Sequence, residues 1–343
     1  MNIAKTKKAK VPGKRKLFTK KAKMKMDFKD PEYRIYFFKK LLNFVVGVAM
    51  FLMLAGLCYI ILYPLIFCVS YAFRDPIDVS DATVILINKH WTLNNFVEGW
   101  NKTQTYLRFF ESIKVALVPT ILQVVSCALA GYGFARFKFK GRGILFGILL
   151  FTLIVPTQTI MIPLYMSYTD FDLFGLLRLT EFFSGEFSPI SLTDKYAAFY
   201  VPAFFSFGIR GSLFVFIYRQ FFSSFPKELE EAAYIDGCNA MTTFTKILVP
   251  NAVPAFTTVF LFSLVWYYND VYYTSTLAGS KETMAIMLDN IAGYFDNSYT
   301  TNSFLFIPIQ RAIMVMYMLP LLVLFLVAQR KFIESVERTG VIG

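Results

Sequence analysis

The residues best suited to ionic contact with a partner lie in one polar segment, PKELEEAAYIDGCNA (226–240). Three glutamates follow Pro226, a residue that suits the first position of a helix. Negative charge in a first turn complements the helix dipole, and Gly237 suits a left-handed C-terminal cap. The segment therefore predicts a short helix of about three turns over 226–237.

Small side chains in this helix favour close packing against another surface. Ala232 and Ala233 would let the helix backbone approach a protein groove, with the glutamates available for ion pairs. A solvated loop that is simply well capped explains the same residues, and the two interpretations stay open at this point. A second helix is predicted to start near Met241 and to run through TKILVPNAVPAF into the next apolar segment.

The chain has no pattern that predicts a catalytic centre. The phosphate-binding pattern G-x-x-x-x-G-K-[ST] does not occur in the sequence. The stretch GRGILFG (141–147) is rich in glycine, but it opens an apolar segment with no preceding strand, so we do not expect nucleotide binding. The cysteines lack metal-ligand spacing, and we expect neither a metal site nor a disulfide.

Aromatic and polar residues near the apolar segments are candidates for a solute path. Trp266, Tyr268, Asn269 and Asp270 combine aromatic faces with hydrogen-bonding groups, as sugar sites do, although aromatic belts at membrane interfaces use the same residues. Arg210 lies in the middle of an apolar segment, where a charge is costly and therefore marks a functional candidate.

Composition places these residues in a polytopic membrane protein. The 343 residues are 56% hydrophobic and 17% charged, whereas soluble domains are about 25% charged. Residues 1–40 hold 15 Lys/Arg and 3 acids, which accounts for the net charge of +12. Such a tail predicts an orientation signal that can rest on anionic lipid. It argues against nucleic acid as a partner, because a binding patch should lie on a folded surface.

Six apolar segments are long enough to cross a bilayer, which takes about 20 residues in a helix. The predicted fold is therefore all-α, with a cytoplasmic tail over 1–40 and a transmembrane domain over 41–343. The six predicted spans are 41–73, 111–135, 144–168, 196–218, 249–268 and 304–329.

The distribution of Lys and Arg sets the predicted orientation. The basic tail and the loop 136–143, with four basic residues and no acid, are predicted to be cytoplasmic. The loops 169–195 and 269–303 carry more acids than bases and are predicted to be external. Six spans then place both termini in the cytoplasm, together with the loop 219–248 that contains the acidic helix.

The spacing around the acidic helix resembles that of a known family. Glu231-Ala232-Ala233, Gly237, Ile247 and Pro250 match the pattern E-A-A-x-x-x-G-x9-I-x-[LV]-P. This pattern resembles the EAA loop of permease subunits of ATP-binding-cassette (ABC) importers. The lead-in FIYRQFFSSFPKELEEAAYIDG is similar to the carbohydrate-uptake branch, of the maltose and multiple-sugar type. Three further segments are similar to that branch: TLNNFVEGW, CALAGYGFARFKFKGRG and IVPTQTIMIPLY.

The resemblance implies a type I ABC importer permease fold and a subunit that hydrolyses nothing. The helix 226–237 would be the coupling helix, which sits in a cleft of an ATPase subunit. The resemblance assigns ATPase coupling to Glu231, Ala232, Ala233, Asp236, Gly237, Ile247 and Pro250.

It also implies that the chain lies in the bacterial cytoplasmic membrane and has three kinds of protein partner. These are a second homologous permease, two copies of a cytoplasmic ABC ATPase, and an external solute-binding protein. ATP and magnesium would be bound by the ATPase subunits, with no cofactor on this chain.

Two other functions remain as alternatives. The same fold could carry a non-sugar solute such as a polyol or a glycerol-phosphate. A secondary transporter driven by an ion gradient predicts acids buried within spans, whereas the predicted spans contain only Glu111, at an edge. A membrane scaffold without transport leaves the capped helix unexplained.

Overall fold

The computed structural model describes residues 31–172 and 190–340, with only the backbone described for 32–33 and 330–340. Most of the predicted basic tail over 1–40 therefore lies outside the described residues, as does the stretch 173–189 of a predicted external loop. Within the described ranges the chain is helical, with no strand beyond two isolated bridges.

The described α-helices follow one another closely along the chain. They are, in order, α1 (Pro31–Ala72), α2 (Pro76–Ser80), α3 (Asn94–Lys102), α4 (Thr105–Arg136), α5 (Arg142–Ile154), α6 (Thr157–Thr169), α7 (Ala197–Phe204), α8 (Gly211–Ser224), α9 (Glu228–Ile235), α10 (Ala240–Thr243), α11 (Val249–Asn251), α12 (Val253–Tyr268), α13 (Tyr272–Leu277), α14 (Met284–Asp289), α15 (Asn297–Thr300) and α16 (Ser303–Gly340). A π-helical turn, Phe244–Leu248, joins α10 to α11.

Three helical segments are long and apolar enough to cross a membrane: Arg34–Ala72, Thr105–Arg136 and Ser303–Gln329. They coincide with the first, second and sixth predicted spans. Two further pairs reach this length only if each bent pair counts as one span, with α5 and α6 bent by 108° and Ala240–Asn251 and α12 by 79°. The described residues therefore contain three to five spans by length and composition.

The predicted fourth span, 196–218, does not form a continuous helix. The irregular residues 205–210 separate α7 from α8. Ser206 and Arg210 have φ angles of 64° and 57°, in the left-handed region that residues other than glycine seldom adopt. Neither half has the length of a spanning helix, so the fourth segment is interrupted partway along.

Side chains from two other helices bind the backbone of this interruption. Gln123 of α4 donates from Nε2 to the Ile209 carbonyl at 2.9 Å, and Ser126 donates to the Ala203 carbonyl at 2.6 Å. The Ile209 N–H donates to the Tyr267 hydroxyl at 3.1 Å. Irregular backbone at membrane depth needs such partners, because lipid offers no hydrogen bonds.

The chain divides into two compact units, Met1–Ile66 and Phe67–Gly343. In the second unit α4 packs closely along α8, and a Cβ added at Gly131 would lie 2.5 Å from the Tyr218 Cβ. Small residues at helix interfaces permit this approach in membranes. The buried cluster beside the contact is rich in aromatic residues and includes Tyr132, Phe214, Tyr218, Phe222, Phe244 and Leu248.

The segment between α1 and α4 is held by buried polar side chains. Arg74 is buried and donates to the Asn88 side chain at 2.9 Å and to the carbonyls of Val84 and Ile85 at 3.1 and 2.9 Å. Asp78 is also buried; it accepts from the backbone of His90 at 2.7 Å, and its other oxygen lies 2.7 Å from the His90 Nδ1. The segment between α1 and α4 is therefore held in one conformation by buried hydrogen bonds.

Candidate docking helix and solute path

The acidic segment forms α9, which has eight residues, about two turns, and is shorter than predicted. The amides of Glu230 and Glu231 both donate to the Lys227 carbonyl at 3.0 Å, and Phe225 is extended. The helix therefore starts after Pro226, and the predicted start at that proline and the length of three turns were wrong. The predicted C-terminal cap is confirmed, since Gly237 has a φ of 82°.

The chain after α9 bends where one continuous helix was predicted. Asn239 caps α10 by accepting from the Thr242 amide at 2.8 Å. The helical path then ends at Ala252, before the 79° bend into α12. Pro254 explains the bend, because it has no N–H to donate to the Pro250 carbonyl and its ring clashes with that carbonyl. The fifth predicted span, 249–268, therefore loses its first four residues to the segment before the bend.

The two faces of α9 have different surroundings. Glu230 and Ala233 are buried against the chain, whereas Glu231 and Ala232 are exposed. Ile235 also lies outward, with 85% of its surface exposed. The outward face thus combines free carboxylates, a small residue and an exposed apolar side chain.

The rest of the predicted coupling set lies close to α9 along the chain. Asp236 and Gly237 are exposed just after the helix. Ile247 is half-buried within the π-helical turn, and its carbonyl accepts from the Asn251 side chain at 2.7 Å. Pro250 is exposed in α11. The motif is therefore one continuous surface segment from α9 to α11.

An ion pair that sequence reasoning missed joins α9 to the end of α4. The Arg136 Nε lies 2.6 Å from the Glu230 Oε1, and 7% and 10% of the two side chains are exposed. Arg136 also donates from Nη2 to the Phe225 carbonyl at 2.9 Å. Burial raises the pKa of Glu230, and the nearby Arg136 charge counteracts part of that rise. The sequence separation of the partners hides the pair, since no local pattern links them.

Two of the predicted path residues lie together. The Arg210 guanidinium lies 5.8 Å from the centre of the Trp266 ring, within the range of a cation–π contact. Trp266 also packs against Phe214 at 5.5 Å and stacks on Phe262 at 5.8 Å. Arg210 itself is exposed, at the residue that precedes α8.

The other three predicted path residues contact the chain itself. Tyr268 is buried, stacks on Tyr317 at 5.1 Å and donates to the Tyr317 carbonyl at 3.0 Å. The Asn269 side chain accepts a hydrogen bond from the Tyr317 hydroxyl. Asp270 accepts from the Thr274 amide, in the first turn of α13, at 2.8 Å. These contacts attach the end of α12 to α16 and α13.

A cavity of about 320 Å³ lies beside the interruption of the fourth segment. Its lining is mostly apolar, and it comes from segments that are distant in sequence, so no local pattern indicates it. Residues that line it include Leu164, Tyr168, Phe199, Ile209, Tyr267 and Tyr273.

Comparison with protein families gives one match that covers more than half of the chain. Residues 127–332 match the model described as binding-protein-dependent transport system inner membrane component. The matched region contains α9, the interrupted fourth segment and most of α16.

Curated proteins with similar sequences are transport permeases. An arabinooligosaccharide transport permease, AraQ of Halalkalibacterium halodurans, is 26% identical over 294 residues, which cover 84% of this chain and 94% of the relative. A maltodextrin transport permease, MdxG of Bacillus subtilis, is 28% identical over 297 residues, which cover 85% of this chain and 95% of the relative.

A solved structure shares the fold. It is a bacterial ABC transporter involved in the import of the acidic polysaccharide alginate, with a TM-score of 0.66 and 20% identity. The match covers 90% of this chain and 100% of the matched chain. At this identity the likeness concerns the fold alone.

Proposed function

The chain belongs to the family of binding-protein-dependent transport system inner membrane components, and we propose that it is one transmembrane subunit of an ATP-driven oligosaccharide importer. The family match carries this proposal, and its residues include the exposed acidic helix α9. The names of the relatives, which specify arabinooligosaccharides and maltodextrin, favour a sugar over a polyol or a glycerol-phosphate.

The proposed topology has six spans with both termini in the cytoplasm. Three helices are long enough to span on their own, and we count the bent pair of α5 and α6 as a further crossing. Another is α12, the part of the second bent pair that follows the bend, while α10 and α11 stay with α9 outside the membrane. The interrupted segment formed by α7 and α8 supplies the remaining one, with its broken backbone bound by α4 and α12. In this topology α9 lies on the cytoplasmic side, and the family description, inner membrane component, supports the cytoplasmic membrane of a bacterium as its location.

We propose that α9 is the coupling helix that docks on a cytoplasmic ABC ATPase. Glu231 supplies the ionic contact, because it is exposed and has a free carboxylate in the first turn. Ala232 permits close approach, Asp236 lies at the exposed end, and Gly237 provides the turn. Ala233 has a different contact, since it packs inward on the chain itself.

The ATPase subunits supply the chemistry of hydrolysis, and this chain supplies movement of the spans. Two ATPase copies bind ATP and magnesium, and their closure moves α9 and the helices attached to it. A second, homologous permease forms the other half of the pathway, and an external solute-binding protein delivers the sugar. The spans then rock between inward-open and outward-open states, as rigid bodies in bundle transporters do.

Tagged protein purified from membranes of its native host tests this function. We expect it to retain an ATPase, and we expect cells to take up labelled arabinooligosaccharide or maltodextrin only while the gene is intact. Glu231→Arg should abolish both retention and uptake, because it reverses the docking charge, whereas Lys140→Glu, an exposed charge reversal in the other predicted cytoplasmic loop, should preserve both. Retention of the ATPase by Glu231→Arg would contradict the docking assignment, and uptake of glycerol-phosphate alone would contradict the sugar.

A further inference from the structure

Two adjacent glutamates of α9 have different surroundings. Glu231 is exposed, whereas Glu230 is buried and paired with Arg136 at 2.6 Å. We propose that the Arg136–Glu230 pair is a latch that fastens the coupling helix α9 to the cytoplasmic end of α4, so that α9 and α4 move together. This inference rests on the proposed function, since it concerns how movement of α9 reaches the spans.

Arg136 is well placed to hold both α9 and the segment that leads into it. It is the last residue of α4, where a positive charge complements the carbonyl end of the helix. Its Nη2 donates to the Phe225 carbonyl, while its Nε faces Glu230. One guanidinium therefore contacts the chain on both sides of Pro226.

Besides this pair, α9 reaches the bundle through the buried Ala233, through an interaction of Tyr234 with Tyr132 of α4, and through its two ends. The N-terminal connection is the short segment 225–227, which is not helical. The C-terminal connection passes through Gly237, whose left-handed φ of 82° permits a turn. Both ends can act as hinges, so rotation of α9 relative to α4 is resisted by its side-chain contacts. The ion pair is the charged contact among them.

The end of α4 that receives this contact is itself firmly packed. Tyr132, one turn before Arg136, packs against Phe222 and Phe244 with ring centres 6.0 and 4.9 Å apart. Gly131 brings α4 against α8 at the same level. A movement passed to Arg136 therefore reaches both α4 and the cluster that surrounds it.

Burial makes the pair sensitive to loss of one member. The two side chains are 7% and 10% exposed, so water does not replace a missing partner easily. Removal of one charge from a buried pair leaves the other uncompensated, whereas a reversed pair restores compensation. A charge exchange therefore separates the role of the pair from the role of either residue alone.

The experiment compares Glu230→Gln with Glu228→Gln, which removes an exposed carboxylate from the same turn. The protein is purified with its ATPase and reconstituted in vesicles, and oligosaccharide uptake per ATP hydrolysed is measured. We expect Glu230→Gln to keep the ATPase bound but to lower this ratio by about fivefold or more. Fivefold is about the smallest effect that one coupled site usually has on another. Glu228→Gln should keep the native ratio.

The exchange Arg136→Glu with Glu230→Arg should recover part of the ratio that Arg136→Glu alone loses. Recovery should be incomplete, because a glutamate at position 136 cannot donate to the Phe225 carbonyl. A native ratio in Glu230→Gln, or no recovery in the exchanged protein, would overturn the latch. Loss of ATPase binding in Glu230→Gln would also overturn it, because the residue would then be needed for docking or folding.

A second readout does not depend on the transported solute. Spin labels at the exposed positions Lys138 and Asp236 report the separation between the residues after α4 and the end of α9. We expect one narrow distance distribution in the native protein and a broad one in Glu230→Gln. Equal widths would refute the latch, whereas a narrow native distribution in a protein without sugar uptake would refute only the proposed substrate.

Discussion

The close contact between α4 and α8 at Gly131 gives a prediction whose magnitude follows from the geometry. A Cβ added at Gly131 would lie 2.5 Å from the Tyr218 Cβ, 3.0 Å from the Arg219 backbone nitrogen and 3.1 Å from the Val215 carbonyl oxygen. Carbon atoms in contact are normally about 3.5–4.0 Å apart. None of the three obstructing atoms is the end of a flexible side chain, so Gly131→Ala must push α4 and α8 apart by about 1 Å.

The same helix contains a matched control. Gly133 lies two residues later in α4 and has nothing within 4 Å of an added Cβ. Overpacking of this kind costs about 1–3 kcal/mol, whereas alanine in place of an unobstructed helical glycine gains up to about 1 kcal/mol. The two single-methyl substitutions should therefore have opposite effects on stability.

Thermal unfolding of the detergent-purified variants measures the difference. We expect Gly131→Ala to unfold a few degrees below the native protein, as about 1–3 kcal/mol implies for a chain of this size. Gly133→Ala should unfold at the native temperature or above it. If Gly131→Ala is as stable as Gly133→Ala, the close approach of α4 and α8 is wrong, and so is the packing that supports the end of α4.

Two further predictions concern the turn after α9 and the segment between α1 and α4. Gly237→Ala should weaken ATPase retention measured by co-purification, because alanine at a φ of 82° costs about 1–2 kcal/mol. The control Gly143→Ala, at a glycine with free space around it, should leave ATPase retention unchanged. Burial acts to raise the pKa of Asp78, but hydrogen bonds from His90 and Lys89 outweigh it and keep that pKa below its usual value. The contribution of ionised Asp78 to the stability of the fold is complete above the ordinary Asp pKa of about 3.9. It is lost as the pH falls through the lowered pKa that Asp78 has in the folded protein. Asp78→Asn should therefore unfold at a lower temperature at about pH 7, and the difference should shrink on acidification through that range; an unchanged difference would contradict the assignment.

Local chemistry in the sequence was sufficient for some features of the fold. The left-handed conformation of Gly237 follows from the residue type and its place after an acidic helix, and the structure has a φ of 82° there. The long helices α4 and α16 follow from sustained hydropathy, and they coincide with the second and sixth predicted spans.

Features that depend on distant contacts were not predictable in this way. The left-handed residues Ser206 and Arg210 occur in an apolar stretch whose hydropathy is unremarkable, and the break is bound by Gln123 and Tyr267 from other helices. The bend before α12 has a local cause in Pro254, but a proline alone does not predict which helix bends, since proline also occurs inside α4 and α16.

The candidate site also combines features that the local sequence predicts with features that depend on distant residues. The motif from Glu231 to Pro250 is local, so its spacing identifies it, although its contact with an ATPase stays a prediction. Helical periodicity places Glu230 and Glu231 on different faces but does not say which face is buried. Glu230 is the buried one because it pairs with Arg136. Arg136 lies far from Glu230 in the sequence, so no local pattern predicts this contact.

The interruption between α7 and α8 has a consequence for how the protein is made. Neither half offers the translocation machinery a spanning helix, and the unpaired backbone around Ile209 would be costly in lipid alone. Synthesis proceeds from the N-terminus, so α4 with Gln123 and Ser126 is already present when this segment emerges. The hydroxyl of Tyr267 arrives later and completes the backbone pairing. If the segment crosses the membrane as proposed, we expect its insertion to be cooperative, with the backbone of the later segment bound by side chains of the earlier helix α4.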